Sequence, residues 1–203
     1  MKLAIFVEGP TERDVLPRFF RQWLDPRVSG RRVEIAAVNF DGVGNYLNQF
    51  PRRVRAALRD PQVIGAIGLI DFYGSTLRYP SGGVKEQYLW ASRELEARVN
   101  DRRFRQHFAV HETEAWLLSD LAVFPKDVAD RLPRSQQPET VNQRNTPAKR
   151  LREVYWNQRG EKYQKPLHAA RLFEQLDPTI AAAKCPHLQL LLDDLLVLAS
   201  GAE

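Results

Sequence analysis

Carboxylates stand at the tips of apolar runs in this sequence, where a structural purpose for them is hardest to find. The stretch "LAIFVEGPTERDVL" (3–16) closes an apolar run with Glu8, continues with Gly9 and Pro10, and places Glu12 four residues after Glu8. "VIGAIGLID" ends in Asp71, and "FRQHFAVHE" ends in Glu112 with Glu114 two residues on. Acids so placed either hold a metal or cap helices. Like charges gathered at one point repel and push one another's pKa upward unless a cation neutralises them. Oxygen ligands without thiolate select Mg2+ or Mn2+, ions that accept carboxylates, waters and a substrate phosphate. Cys185 is the only cysteine, which excludes a disulfide framework or a thiolate zinc site within the chain.

Each acid also has a plainer role open to it. Glu12 could complement the first turn of a helix whose N-cap is Thr11, with Asp14 completing a capping box. Asp71 could form a turn or cap a helix. Glu112 and Glu114 cannot both face one point on a helix, where two residues turn about 200°; on extended chain they can. One would then be a ligand and the other a cap. Glu8 is harder to reduce to structure, because a carboxylate between Val7 and Gly9 at the end of an apolar strand has little to stabilise, and Gly9 leaves room for a close approach.

The elements that position these acids follow from hydrophobic period. "KLAIFV", "RRVEIAAVNF", "VIGAIGLID" and "FRQHFAVHE" have the continuous apolar character of strands covered on both faces. Between them run helical stripes: Val15, Leu16, Phe19, Phe20, Trp23 and Leu24, closed by Asp25-Pro26; then Val43, Leu47, Phe50, Val54 and Leu58; then a segment from about 84 to 99 with Val84, Tyr88, Leu89, Leu95 and Val99 inward. "AWLLSDL" continues as a further helix. The βαβαβαβα pattern predicts an α/β fold with a mainly parallel, doubly wound sheet flanked by helices. Ligands of such sheets bind outside the carboxyl ends of the strands, where Glu8, Asp71, Glu112 and Glu114 fall. Residues 1–124 form this core. Residues 125–203 form a loop plus helical extension packed on it, the whole a single domain. "PRSQQPETVNQRNTP" reads as a mobile or ligand-ordered loop. The leucine-dense "HLQLLLDDLLVLA" is a final helix, expected to serve as core and alternatively as a dimer interface, so an oligomer stays open.

Composition bounds the partners. The chain of 203 residues carries 30 Lys and Arg against 25 Asp and Glu, with no apolar run of the ~20 residues that span a bilayer. "LAIFV" is too short for the core of a signal peptide, which sets the expectation of a cytoplasmic protein. Arginines cluster in "PRRVRAALRD" and "NDRRFRQHF", so Arg52, Arg53, Arg55, Arg102 and Arg103 are candidate phosphate contacts and nucleic acid, DNA first, the candidate partner. No P-loop pattern and no nucleophile elbow occurs. "DGVGNYL" lacks the last glycine of a dinucleotide fingerprint. His107 and His111 lie four apart on a presumed strand, about 13 Å, too far to chelate together.

"FVEGPTE" resembles the first motif of Toprim domains, the metal-dependent fold of topoisomerases, primases and overcoming-lysogenization-defect (OLD) type nucleases. The ordered set "VEGPTE", "LIDFYG", "HETEAWLLSD", "TPAKRL", "EKYQKP" and "KCPHLQLLLDDL" is similar to the DUF4276 family, regarded as Toprim-like, over nearly the whole chain. The resemblance implies that Glu8 is the Toprim glutamate, acting on metal or as acid/base, that Glu12 is the second acid of the nuclease branch, and that Asp71 is the first aspartate of a DxD motif. Tyr73 stands where the second aspartate would be, and Glu114, with Glu112 before it, could replace that ligand. Lys149 and Lys165 fall in downstream family motifs, where a lysine near the metals would stabilise a pentavalent phosphate; either could instead lie on a solvated face. The implied activity is metal-dependent phosphodiester hydrolysis in defence against phage or plasmids, with an SMC-like or AAA ATPase as partner. The competing expectation is a Toprim-shaped adaptor that lost catalysis with the second aspartate.

Overall fold

The computed structural model of the chain describes residues 1–28, 32–140 and 146–201. Strands β1 (Lys2–Val7), β2 (Glu34–Asn39), β3 (Val63–Asp71) and β4 (Phe104–Ala109) pair in parallel in the order β2-β1-β3-β4. Helices α1 (Pro10–Leu24), α2 (Val43–Leu58) and α3 (Val84–Val99) make the crossovers. Successive side chains of a strand point to opposite faces. In β1, Leu3, Ile5 and Val7 therefore pack with α1, and Ala4 and Phe6 pack into the other layer with residues of α2 and α3. Both faces are covered, which is why β1 is apolar at every position after Lys2. The chain leaves β1 toward β2 and then crosses back to β3 on the other side, so strand order reverses between β1 and β3. Glu8 follows one of those strands and Asp71 ends the other.

Beyond the sheet come α4 (Glu114–Leu117), a 3-10 turn (Leu121–Val123), α5 (Lys126–Ala129), a second 3-10 turn (Pro138–Thr140), α6 (Pro147–Arg159), a π-helical turn (Lys165–Ala169), α7 (Ala170–Gln175), α8 (Pro178–Lys184) and α9 (Pro186–Ser200). Helices α7, α8 and α9 contact α1, and α9 also contacts β3 and β4. One apolar cluster runs from Leu3 through Phe19 and Trp116 to Leu192 and Leu195. The leucine-dense final helix buries Leu188, Leu191, Leu192 and Leu195 in it, while Leu190 stays half exposed. Among the described residues no helix is long and apolar enough to cross a membrane.

Several local expectations are corrected. In α3 the inward positions are Tyr88, Ala91, Leu95 and Val99; Val84 and Leu89 are exposed, because the buried stripe runs through the small Ala91 and not through the larger neighbours. Strand β4 stops at Ala109, short of Glu112, and His111 takes a left-handed φ of 70° that turns the chain out of the sheet. "AWLLSDL" supplies only the last three residues of the four-residue α4 and then the first residue of the 3-10 turn. The polar segment 133–147 is in part ordered: Glu139 is buried and caps α9, accepting from His187 N at 2.9 Å and Leu188 N at 3.3 Å. Its remainder, 141–145, lies outside the described residues.

Candidate functional site

Helix α1 begins earlier than a Thr11 cap would allow. Its N-cap is Gly9 with no side-chain cap, and Pro10 occupies the first turn, where a missing N–H costs nothing. Asp14 faces outward and pairs with Arg13, so no capping box forms. Glu12 is instead turned inward and buried. Its carboxylate lies beside Gly9, where an added Cβ would come within 2.9 Å of Glu12 Oε2. The close approach that Gly9 permits is thus made by a side chain of its own helix.

Lys165 draws the acids together. Its Nζ lies 2.9 Å from Glu12 Oε1 and 3.2 Å from Glu114 Oε2, joining α1, α4 and the π-helical turn. π-helical turns recur at functional sites because they re-aim a side chain. Glu114 is fully buried, and Asp71 and Glu8 lie within electrostatic reach of the same ammonium. Burial pushes the pKa of Asp71 well up and also raises Glu114 and Glu8. Lys165 opposes each rise, while Glu12 adds to it at both Asp71 and Glu8. At Lys165 burial works against the charged form, but Glu114, Glu12 and Asp71 outweigh it and the pKa is raised. The cluster is thus a set of partly desolvated acids balanced by a half-buried ammonium.

Two carboxylate oxygens in the cluster, Glu8 Oε2 and Glu114 Oε1, are buried without a hydrogen-bond partner among the described residues. A buried acceptor of this kind is one that a cation or a water can satisfy. Among the described residues no group of three or more His, Cys, Asp or Glu stands in the arrangement of a metal site, since Lys165 is interposed between acids.

The other candidates separate. Glu112 Oε2 accepts from Ala148 N at 2.8 Å, so this acid caps α6, a helix starting 35 residues further along the chain. It also lines a cavity of about 410 Å3 with Asp71, Tyr73, Gly74, His111 and Thr146. Lys149 is exposed on the first turn of α6, and among the described residues no ion pair links it to the acids. Arg55 donates to Arg98 O, and Arg103 pairs with Asp101 and donates to Leu58 O. Those partners, with the neighbouring Arg102, lie where α2 and α3 end and β4 begins, the edge of the sheet opposite the acids. Arg53 instead folds back over the Phe40 ring and Asn39 O, at the carboxyl end of β2. Arg52 is exposed on α2. His107 is buried between Tyr88 Oη and Asp194 Oδ2, each at 3.0 Å, a structural histidine. Tyr163, two residues before Lys165, escaped sequence reasoning. Its hydroxyl is buried without a partner, and burial, reinforced by Glu114, raises its pKa. The family motif "EKYQKP" contains it, but nothing in its spacing singles it out.

Comparison with known proteins adds a family and no function. A family model described as "Domain of unknown function (DUF4276)" matches residues 7–196. No curated protein and no solved structure matches the chain.

Proposed function

We propose that this chain, which belongs to the DUF4276 family, is a metal-dependent nuclease that hydrolyses phosphodiester bonds. The observation that supports this most is the pair of unpartnered buried oxygens, Glu8 Oε2 and Glu114 Oε1, at the strand-order reversal of a parallel sheet. Hard, anionic and desolvated, they suit Mg2+ or Mn2+. Glu8, Asp71 and Glu114 would hold the ion, with Glu12 serving a second ion or its waters. A bound ion would supply Lewis acidity toward a phosphoryl oxygen and an acidified water.

The chain's own residues do the rest. Lys165 fixes the carboxylates of Glu12 and Glu114, and its ammonium would neutralise charge developing on a phosphoryl group. Glu8, whose pKa burial raises, would serve the ion in its deprotonated form. Arg53, on the same side of the sheet as the acids, would contact backbone phosphate without reading sequence. DNA as substrate, and an SMC-like or AAA ATPase partner in defence against phage or plasmids, belong to the same proposal, the partner because the sequence carries no P-loop.

A second reading is favoured by Lys165 itself, which already neutralises the acids as a metal would, and by Tyr73 in the position of the second aspartate. In that reading the chain is an inactive adaptor. A cleavage assay on plasmid and single-stranded DNA with Mg2+, Mn2+ or EDTA separates the two. The nuclease reading expects metal-dependent cleavage that Glu8→Gln and Asp71→Asn both abolish. Absence of cleavage together with absence of Mn2+ binding by calorimetry would leave the adaptor.

A further inference from the structure

The cavity beside the acids is acidic and yet presents an aromatic ring. Tyr73, two residues after Asp71, keeps 37% of its surface exposed. It is not a loose surface ring. His111 lies against it with centroids 4.7 Å apart and planes 31° from parallel, and Phe72 meets it edge-on at 5.1 Å. His111 reaches that position through its left-handed backbone, uncommon for a residue with a side chain and a known mark of sites where conformation serves function. The chain thus accepts local strain where it backs Tyr73 with a second ring.

Asp71, Tyr73, Gly74, His111, Glu112 and Thr146 line a half-open cavity of about 410 Å3, within the range of small-ligand sites. No lysine or arginine stands among its described lining residues to hold a phosphate, and the carboxyl groups of Asp71 and Glu112 offer acceptor oxygens instead. A neutral heterocycle is admitted: the ring can stack on Tyr73, and the carboxylates can accept from its N–H groups. On the nuclease reading the attached phosphate would lie toward Lys165, which is within electrostatic reach of Asp71. We propose that the cavity is a subsite for one unpaired nucleobase, stacked on Tyr73, so that the ligand is a nucleotide with a free base face. A base inside a duplex has no such face to offer, whereas a single strand or a flipped base does. This rests on the nuclease reading for its substrate class, though not for the stacking itself.

The test is equilibrium binding in EDTA, which removes cleavage from the readout. A labelled single-stranded oligonucleotide, the duplex of the same sequence and a mononucleotide are titrated with wild type, Tyr73→Phe and Tyr73→Ala. We expect the single strand to bind more tightly than the duplex. Tyr73→Ala should weaken single-strand binding about tenfold or more, Tyr73→Phe should retain it, and duplex binding should not change. If the mononucleotide shows the same dependence on Tyr73, the subsite takes free nucleotides; if only the strand does, it takes strands. Equal binding of strand and duplex, failure of the strand to bind, or a Tyr73→Ala protein that binds the strand like wild type overturns the subsite. Strand binding that is indifferent to Tyr73→Ala, in a protein whose metal-dependent cleavage Glu8→Gln abolishes, would refute this inference alone. A Tyr73-dependent strand complex in a protein that never cleaves with any metal would refute the nuclease reading and leave the subsite.

Discussion

Replacing Lys165 by Met keeps most of the stem and removes the ammonium that Glu12 and Glu114 share. The Glu114 side chain has no exposure, that of Glu12 has 11% and that of Lys165 28%. Breaking a buried pair by removing one partner costs about 3–5 kcal/mol, because a charge is left desolvated and alone. The partial exposure of Lys165 places the expected loss at the low end, about 3 kcal/mol at neutral pH. At ~2–4 °C per kcal/mol for a chain of this size, the melting temperature should fall by about 6–12 °C.

The loss must also depend on pH. Glu8, Asp71 and Glu114 have folded pKa values above their unfolded ones, so between those values the folded state binds more protons. Their contribution is fully present below the unfolded pKa and is lost as pH rises through the raised folded pKa. Lys165 lowers all three, so without it they rise further. The deficit should therefore be small near pH ~4, where protonated carboxyls need no counter-charge, and should grow toward neutrality. The contribution of Lys165 itself, whose pKa is raised, would be lost only on the alkaline side. Thermal melts of wild type and variant across that acid-to-neutral span measure it. If the acids bind a divalent ion, Mg2+ should stabilise the variant by about 2.7 kcal/mol at a hundredfold excess over Kd. A deficit independent of pH, or one below about 1 kcal/mol at neutrality, would refute charge balance as the role of Lys165.

Two other perturbations probe the supporting structure. Gly9→Ala has no backbone obstacle, since φ −133° and ψ 171° suit any residue, but its Cβ would sit 2.9 Å from Glu12 Oε2. The carboxylate must move, so in the proposed nuclease cleavage should fall by up to about a hundredfold with little change in melting temperature; a melt and a rate on the same sample check it. Glu139→Ala uncovers the first N–H groups of α9 and the His187 Nδ1 partner at 2.9 Å. It should cost about 2 kcal/mol in thermal denaturation, with part recovered in Glu139→Gln.

What the sequence carried legibly was whatever depended on period. The third strand over 63–71 and the helix over 84–99 fall where a continuous apolar run and a helical stripe place them, because burial on both faces leaves few polar residues in the strand. The phase of α3 was misplaced for a physical reason: bulk suggests burial, yet Ala91 lies within the stripe and leaves Leu89 outside. The acids were legible at strand tips, but their partners were not. Glu112 finds Ala148 and Glu114 finds Lys165, contacts that follow from how α6 and the π-helical turn return to the sheet. No local rule relates residues so far apart, and only the family resemblance drew Lys165 to notice. The start of α1 failed at shorter range, where Thr11 looked like a cap although Pro10 could already open the helix.

The balance around Lys165 also limits how an ion could enter in the proposed nuclease. The ammonium uses Glu12 Oε1 and Glu114 Oε2, and the buried oxygens left without partners are Glu8 Oε2 and Glu114 Oε1. Lysine and ion can therefore divide the oxygens of Glu114 without exchanging places. Two cations that close repel, a penalty the folded acids must offset, and the ion competes with the protons whose binding burial favours at Glu8 and Asp71. Metal binding should then release protons and tighten as pH rises, whereas an adaptor whose acids serve only to seat Lys165 would gain nothing from the same change. Mn2+ titrations in two buffers of different ionisation enthalpy, at two pH values, distinguish these cases: a buffer-dependent heat with affinity rising with pH supports the metal site, and a flat response removes it.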